Sequence, residues 1–166
     1  MFIYEASEDL EVLKDIKNRF GIIPPHWTLL ANLHPKKFEM FMQEIGYLVN
    51  HKTINPDLFG MIRLHVATRE GFSYCKSFNT KLLLAKGYSK DEIKALVEDI
   101  KMIPLDDRHK LLAKVAIDAI YKPEEFTQEK IAILKELSWS DADIYDAVDH
   151  AAFLFKFSKI IKAYQS

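Results

Sequence analysis

Residues 64–93 read Leu64-His-Val-Ala-Thr-Arg-Glu-Gly71-Phe-Ser-Tyr-Cys75-Lys-Ser-Phe-Asn79-Thr-Lys-Leu-Leu-Leu-Ala85-Lys-Gly87-Tyr-Ser89-Lys-Asp-Glu92-Ile93. The punctuation of this stretch is that of two helices and the start of a third. Gly71 marks a turn, Gly87 closes a helix that begins near Phe72, and Ser89 with Glu92 forms a capping box. Cys75 is the single cysteine of the chain. A dithiol site needs two sulfurs one helical turn apart, and the residue one turn before Cys75 is Phe72. No disulfide can close within this chain.

Working outward, apolar residues recur at helical spacing almost everywhere, and strand-type alternation is scarce. Ser7 is read as the cap of a first helix running to about Arg19 and ending at Gly21. Pro24-Pro25 opens a short helix through Leu33, and Lys36–Val49 forms the next. Asn55-Pro56 starts a helix to about Arg69, since Asn caps and Pro suits the first helical position. Ser89 opens a helix to about Lys101, and Pro104-Leu-Asp-Asp opens another through Tyr121. Thr127 caps Gln128–Leu137, and Ser140-Asp-Ala-Asp143 opens a last helix to about Tyr164. Residues 87–98 also align without gaps on residues 138–149, sharing an aromatic, a capping serine, an acid, Ile and Val. Either two capped amphipathic helices coincide, or a helical unit is duplicated.

The expected fold class is all-α, in one domain over residues 1–166, a length sufficient to bury a core. A formal net charge of -1 gives no electrostatic reason to expect nucleic acid as a partner. No apolar run approaches the ~20 residues that a bilayer span needs, so no membrane partner is expected. Met1-Phe-Ile-Tyr-Glu5 has no basic stretch and turns acidic at once, which is unlike a signal peptide. With its lone thiol, the chain is expected to be cytoplasmic.

The region Phe59 to Glu98 resembles the alkylhydroperoxidase D and carboxymuconolactone decarboxylase superfamily (AhpD-like), and the likeness extends over about residues 20–164. It is carried by Leu64–Gly71, Tyr74-Cys75 and Ala85–Ile93, and downstream by Leu137–Val148 with Ala151-Ala-Phe-Leu-Phe155. The resemblance implies an AhpD-like multi-helix bundle assembled as a homo-oligomer (dimer, trimer or hexamer). The surplus of apolar residues in Phe38–Leu48 and in Phe153–Ile161 agrees with subunit packing, with Lys156, Lys159 and Lys162 as a solvated stripe. The Cys-x-x-Cys site itself is degenerate. The family's first cysteine falls on Phe72, its histidine on Asn79 and its glutamate on Gly60, and only the second cysteine position is kept, as Cys75.

In the family, glutamate and histidine relay protons to the thiols; Gly, Phe and Asn cannot titrate in that role. The resemblance therefore implies a peroxidase-related, antioxidant oxidoreductase that has kept one cysteine and depends on an external thiol reductant. The alternatives are an inactive oligomeric scaffold, a small-ligand binder, or a decarboxylase-like enzyme that uses no thiol. Candidate catalytic residues are Cys75, its polar neighbour Asn79 one turn on, and Tyr74, His65 or His150 as proton donors. No cofactor and no metal is expected.

Each candidate has a plainer role. Cys75 can be a small buried hydrophobe, or a thiolate favoured by Lys76 and the helix N-terminus. His65 and Glu70 can stand in for the lost relay or sit at a surface. His150, in the small apolar run Val148-Asp-His-Ala-Ala-Phe153, can be a bonded core residue, a subunit contact or a cavity-lining group. Asp146 and His150, one turn apart, permit a carboxylate–imidazole pair.

Overall fold

The computed structural model describes residues 2–165. Among them the elements are α1 (Glu11–Phe20), α2 (Pro25–Leu33), α3 (Pro35–Val49), α4 (Asp57–Arg69), α5 (Ser73–Ala85), α6 (Lys90–Glu98), α7 (Asp107–Tyr121), α8 (Gln128–Glu136) and α9 (Asp141–Ala163), with short 3-10 turns at Ile100–Met102 and Pro123–Glu125. The all-α expectation holds: the described residues contain no strand, only an isolated antiparallel bridge between Phe2 and Gln165.

The chain divides into two compact units, residues 1–50 with 159–166, and residues 51–158. In the first, Leu13, Ile16, Ala31 and Phe38 form a buried cluster, with Trp27 set edge-on to Phe38 and Phe41. Asn32 ties the chain before α1 to α2 by accepting from Ser7 N–H and donating to Ser7 C=O. Ser7 does not cap α1. Its hydroxyl accepts from Asp9 N–H in a tight local turn, and the helix begins two residues later behind Leu10. Gly21, at φ +76°, ends α1 as expected.

The second unit is organised around α4, which packs against α5, α6 and α7. Leu58, Phe59, Gly60, Met61, Ile62, Leu64, His65, Val66 and Ala67 are all buried, so this helix has no solvated face along its middle. An apolar circumference of that kind is what a central helix requires. Its start is fixed by Asn55 Oδ1, which accepts from Asp57 N–H.

The Ser89–Glu92 capping box is present in full, and Ser140 with Asp143 makes the same reciprocal pair at the head of α9. The likeness of residues 87–98 to 138–149 extends to the backbone. Gly87 and Ser138 both have positive φ, and Tyr88 N–H and Trp139 N–H reach back to Leu83 and Leu134 C=O in the same C-terminal turn. α6 ends at Glu98, three residues sooner than expected, because Asp99 turns extended and its side chain accepts from Lys101 N–H to start the 3-10 turn.

In α9 the capped N-terminus is further held by His51, whose Nε2 lies 3.1 Å from Asp146 Oδ2. The i, i+4 pairing of Asp146 with His150 is thereby replaced by a long-range pair. Lys156, Lys159 and Lys162 are exposed, as the solvated stripe requires, while Leu154, Phe157 and Ser158 are buried. In the α3 sequence Phe38 and Leu48 are buried, and Met40 and Tyr47 are more than half exposed.

Ser138 holds a left-handed conformation at φ +65°, the position its counterpart fills with glycine. A side chain there is strained, whereas Gly is not. Ser138→Gly should raise stability by about 0.5–1 kcal/mol. The check is the urea midpoint at constant m; a lowered midpoint would contradict the assignment of strain to this residue.

Candidate functional site

The site is built on one cation inside α4. Arg63 is the only charged residue of that helix away from its ends, where Asp57 and Arg69 lie. It emerges among buried apolar neighbours and is itself mostly buried. Its Nε–H donates to Asn79 Oδ1 on α5 at 2.8 Å, and its Nη1 donates to His150 Nε2 on α9 at 2.8 Å. Asn79 Nδ2 in turn donates to Cys75 C=O one turn back, at 2.8 Å. Cys75 Sγ shares a hydrogen bond of 3.1 Å with Ser158 Oγ. Three helices thus converge through Arg63, Asn79, Cys75, His150 and Ser158.

Gly60 lies beside this arrangement. A Cβ at residue 60 would lie 3.6 Å from Arg63 Nη2 and 3.5 Å from Leu83 Cδ2. A longer side chain there would enter the space the guanidinium fills. Read from the sequence as the place of a missing carboxylate, Gly60 is in the fold a neighbour of the Arg63 guanidinium.

His150 is 1% exposed. Because Nε2 accepts from a guanidinium, the ring proton must sit on Nδ1. That Nδ1 is buried and has no hydrogen-bond partner. The ring stacks on Phe153 at 5.4 Å and meets Phe59 edge-on at 5.1 Å. Burial first, and then the Arg63 charge, push its pKa well below the ordinary histidine value. It is a neutral imidazole.

Cys75 is 5% exposed. Burial raises its pKa, and the Ser158 hydroxyl and the Arg63 charge only partly offset that rise. The expected help from Lys76 does not arise, since Lys76 points to solvent and Arg63 is the cation acting on the sulfur. Burial also pulls Arg63 down to about 10, opposed by the Cys75 sulfur, and so it stays charged near neutrality.

The fold gathers three of the five residues proposed from sequence: Cys75, Asn79 and His150. His65 is turned toward α6, with Nδ1 at 2.9 Å from Leu96 C=O, and burial lowers its pKa. Tyr74 lies half-buried at the position before Cys75. Glu70 accepts from Tyr121 Oη–H at 2.8 Å, with Arg69 stacked 3.5 Å over the Tyr121 ring. Two members, Arg63 and Ser158, were missed. Arg63 carried a signal: it is a lone charge in the middle of the apolar run Leu58-Phe-Gly-Met-Ile-Arg-Leu. Ser158 carried none, because its facing Cys75 depends on how α9 lies on α5. No group of three or more metal-ligating side chains occurs among the described residues.

Solved structures share this arrangement of helices. A peroxidase-related protein from Silicibacter sp. TM1040 superposes with a TM-score of 0.77 at 17% identity, over 91% of this chain and 79% of that one. A second, from Ralstonia eutropha JMP134 and described as an alkylhydroperoxidase AhpD core, gives 0.75 at 14% identity, over 90% and 79%. This chain has the AhpD-like fold. No protein-family model and no curated protein matches the sequence. The positions that the sequence resemblance pairs with the dithiol and its relay hold Phe72, Cys75, Asn79 and Gly60.

A neutral, buried His150 makes folding sensitive to mild acid. Its folded pKa lies below the unfolded value near 6.5, so the unfolded chain binds the extra proton, and stability falls as pH drops below about 6.5. Asp57 and Asp143, whose pKa values are lowered, lose their contribution only below about pH 4. Stability should therefore fall between pH 7 and pH 5, with His65, whose pKa burial also lowers, adding to the His150 effect in the same window. Denaturant midpoints at the two pH values for wild type and His150→Gln check this: the variant should lose less, and equal losses would refute it.

Proposed function

We propose that this chain is a peroxidase-related protein of AhpD-like fold that has left dithiol turnover behind and binds a small ligand at the Arg63 cluster. The observation that carries the reading is a mostly buried guanidinium held between two neutral acceptors, Asn79 Oδ1 and His150 Nε2. Arg63 takes the space beside Gly60, Asn79 takes the histidine position, and neither moves protons near neutrality. The one sulfur present is buried with a raised pKa, whereas the thiolate is the form that attacks peroxide.

A second reading rests on a different observation. Cys75 is not enclosed by hydrocarbon alone: Ser158 Oγ and the Arg63 charge both favour its thiolate. In that case the thiolate attacks a hydroperoxide oxygen, the O–O bond breaks, and the alkoxide leaves as alcohol after taking a proton. Cys75 becomes a sulfenic acid. An external thiol then condenses with it, losing water, and a second external thiol displaces the mixed disulfide to restore Cys75.

For either reading we propose a homo-oligomer in a reducing, cytoplasmic setting. The exposed Met40, Tyr47 and Val49 supply apolar surface for packing between copies. No helix among the described residues is long and apolar enough to cross a membrane.

Consumption of tert-butyl hydroperoxide in the presence of dithiothreitol separates the readings. Wild type and Cys75→Ser should give equal, background rates. A wild-type rate that Cys75→Ser abolishes would establish the thiol reaction and remove the first reading. Alkylation by iodoacetamide near neutral pH should be at least about tenfold slower for Cys75 than for cysteine in an unstructured peptide.

A further inference from the structure

We propose that the uncommitted edge of the Arg63 guanidinium is a binding site for a small ligand bearing a single carboxylate. This rests on the ligand-binding reading above and narrows it to a chemical class. Three observations carry it.

The first is charge. Among the described residues no carboxylate lies within ion-pair distance of Arg63, and the titratable group felt by it is Cys75. A mostly buried cation is ordinarily paired, because an isolated charge is costly to remove from water. Partly exposed lysines of the same unit find carboxylates, Lys86 with Asp57, Lys114 with Asp118 and Lys135 with Asp141, while Arg69 and Arg108 lie over aromatic rings. Arg63 has only the neutral acceptors Asn79 Oδ1 and His150 Nε2.

The second is the balance of donors and acceptors. Asn79 Oδ1 and His150 Nε2 are both in use as acceptors. On the donor side, Arg63 Nη2 gives its two protons to no described residue. A cluster with surplus donors and committed acceptors is matched by a ligand that only accepts. An ionised carboxylate is that kind of group.

The third is shape and valence. A guanidinium is a planar fork that meets the two oxygens of a carboxylate. Gly60 lies beside Nη2 and carries no side chain, and among the described residues no carboxylate is ion-paired with Arg63 to compete with a bound anion. One unpaired positive charge is neutralised by a monoanion. A dianion such as phosphate would leave an uncompensated negative charge in a poorly solvated place.

The test uses benzoate as probe, benzamide as its neutral isostere and inorganic phosphate, held alkaline of its second pKa so that it is the dianion, added to the wild-type protein. Readouts are the NMR resonances of Arg63 Nε–H and the Asn79 side-chain amide, together with the melting temperature. Benzoate should shift both resonances and raise the melting temperature with concentration, and benzamide should do neither. Arg63→Gln should weaken benzoate binding by about tenfold or more. If Arg63→Gln does not fold, Gly60→Glu serves instead: it supplies an internal carboxylate beside Nη2 and should abolish the benzoate response. An equal response to benzamide would overturn the carboxylate class while leaving a ligand site in place. Stronger binding of phosphate would overturn the single-charge requirement. No response to any probe would overturn the proposal outright, whereas the reading beneath it is decided separately by the Cys75→Ser peroxide rates.

Discussion

A guanidinium in the middle of a helix with no solvated face has to be held by other elements, and in this protein that demand organises the site. Arg63 draws Asn79 from α5 and His150 from α9 to opposite parts of its fork. Its donation to Nε2 dictates the histidine tautomer, which leaves the Nδ1 proton facing a buried place without an acceptor. Its field reaches Cys75 and offsets part of the burial that keeps that sulfur protonated. Remove the charge, and Asn79 and His150 lose the acceptor roles that orient them.

The residues set around Arg63 are mutually consistent. Asn79 brings an amide oxygen and His150 a ring nitrogen, both neutral acceptors, and Gly60 brings no carboxylate. A glutamate at residue 60 would meet Arg63 Nη2 and neutralise it.

Much of the helical frame was legible residue by residue because its signals are local. Ser89, Asp106, Thr127 and Ser140 cap the helices they precede, and Gly21 and Gly87 end theirs in the left-handed conformation. The misses are also local competitions. Ser7 bonds Asp9 N–H and leaves α1 to start at Glu11, and Asp99 diverts the chain into a 3-10 turn ahead of the expected end of α6. In each case a short polar side chain offered the backbone an alternative partner.

Sequence alone settled the all-α class, the helix order and the impossibility of an internal disulfide, because caps, periodicity and a count of cysteines act over a few residues. It also marked Cys75, Asn79 and His150 as chemically interesting. Which of them meet was decided by tertiary structure. Asp146 turned to His51 and left His150 to Arg63, and Ser158 reached Cys75 across 83 positions of chain. Ion-pair and hydrogen-bond partners between helices are chosen by how those helices pack, and no spacing along a single helix encodes that choice.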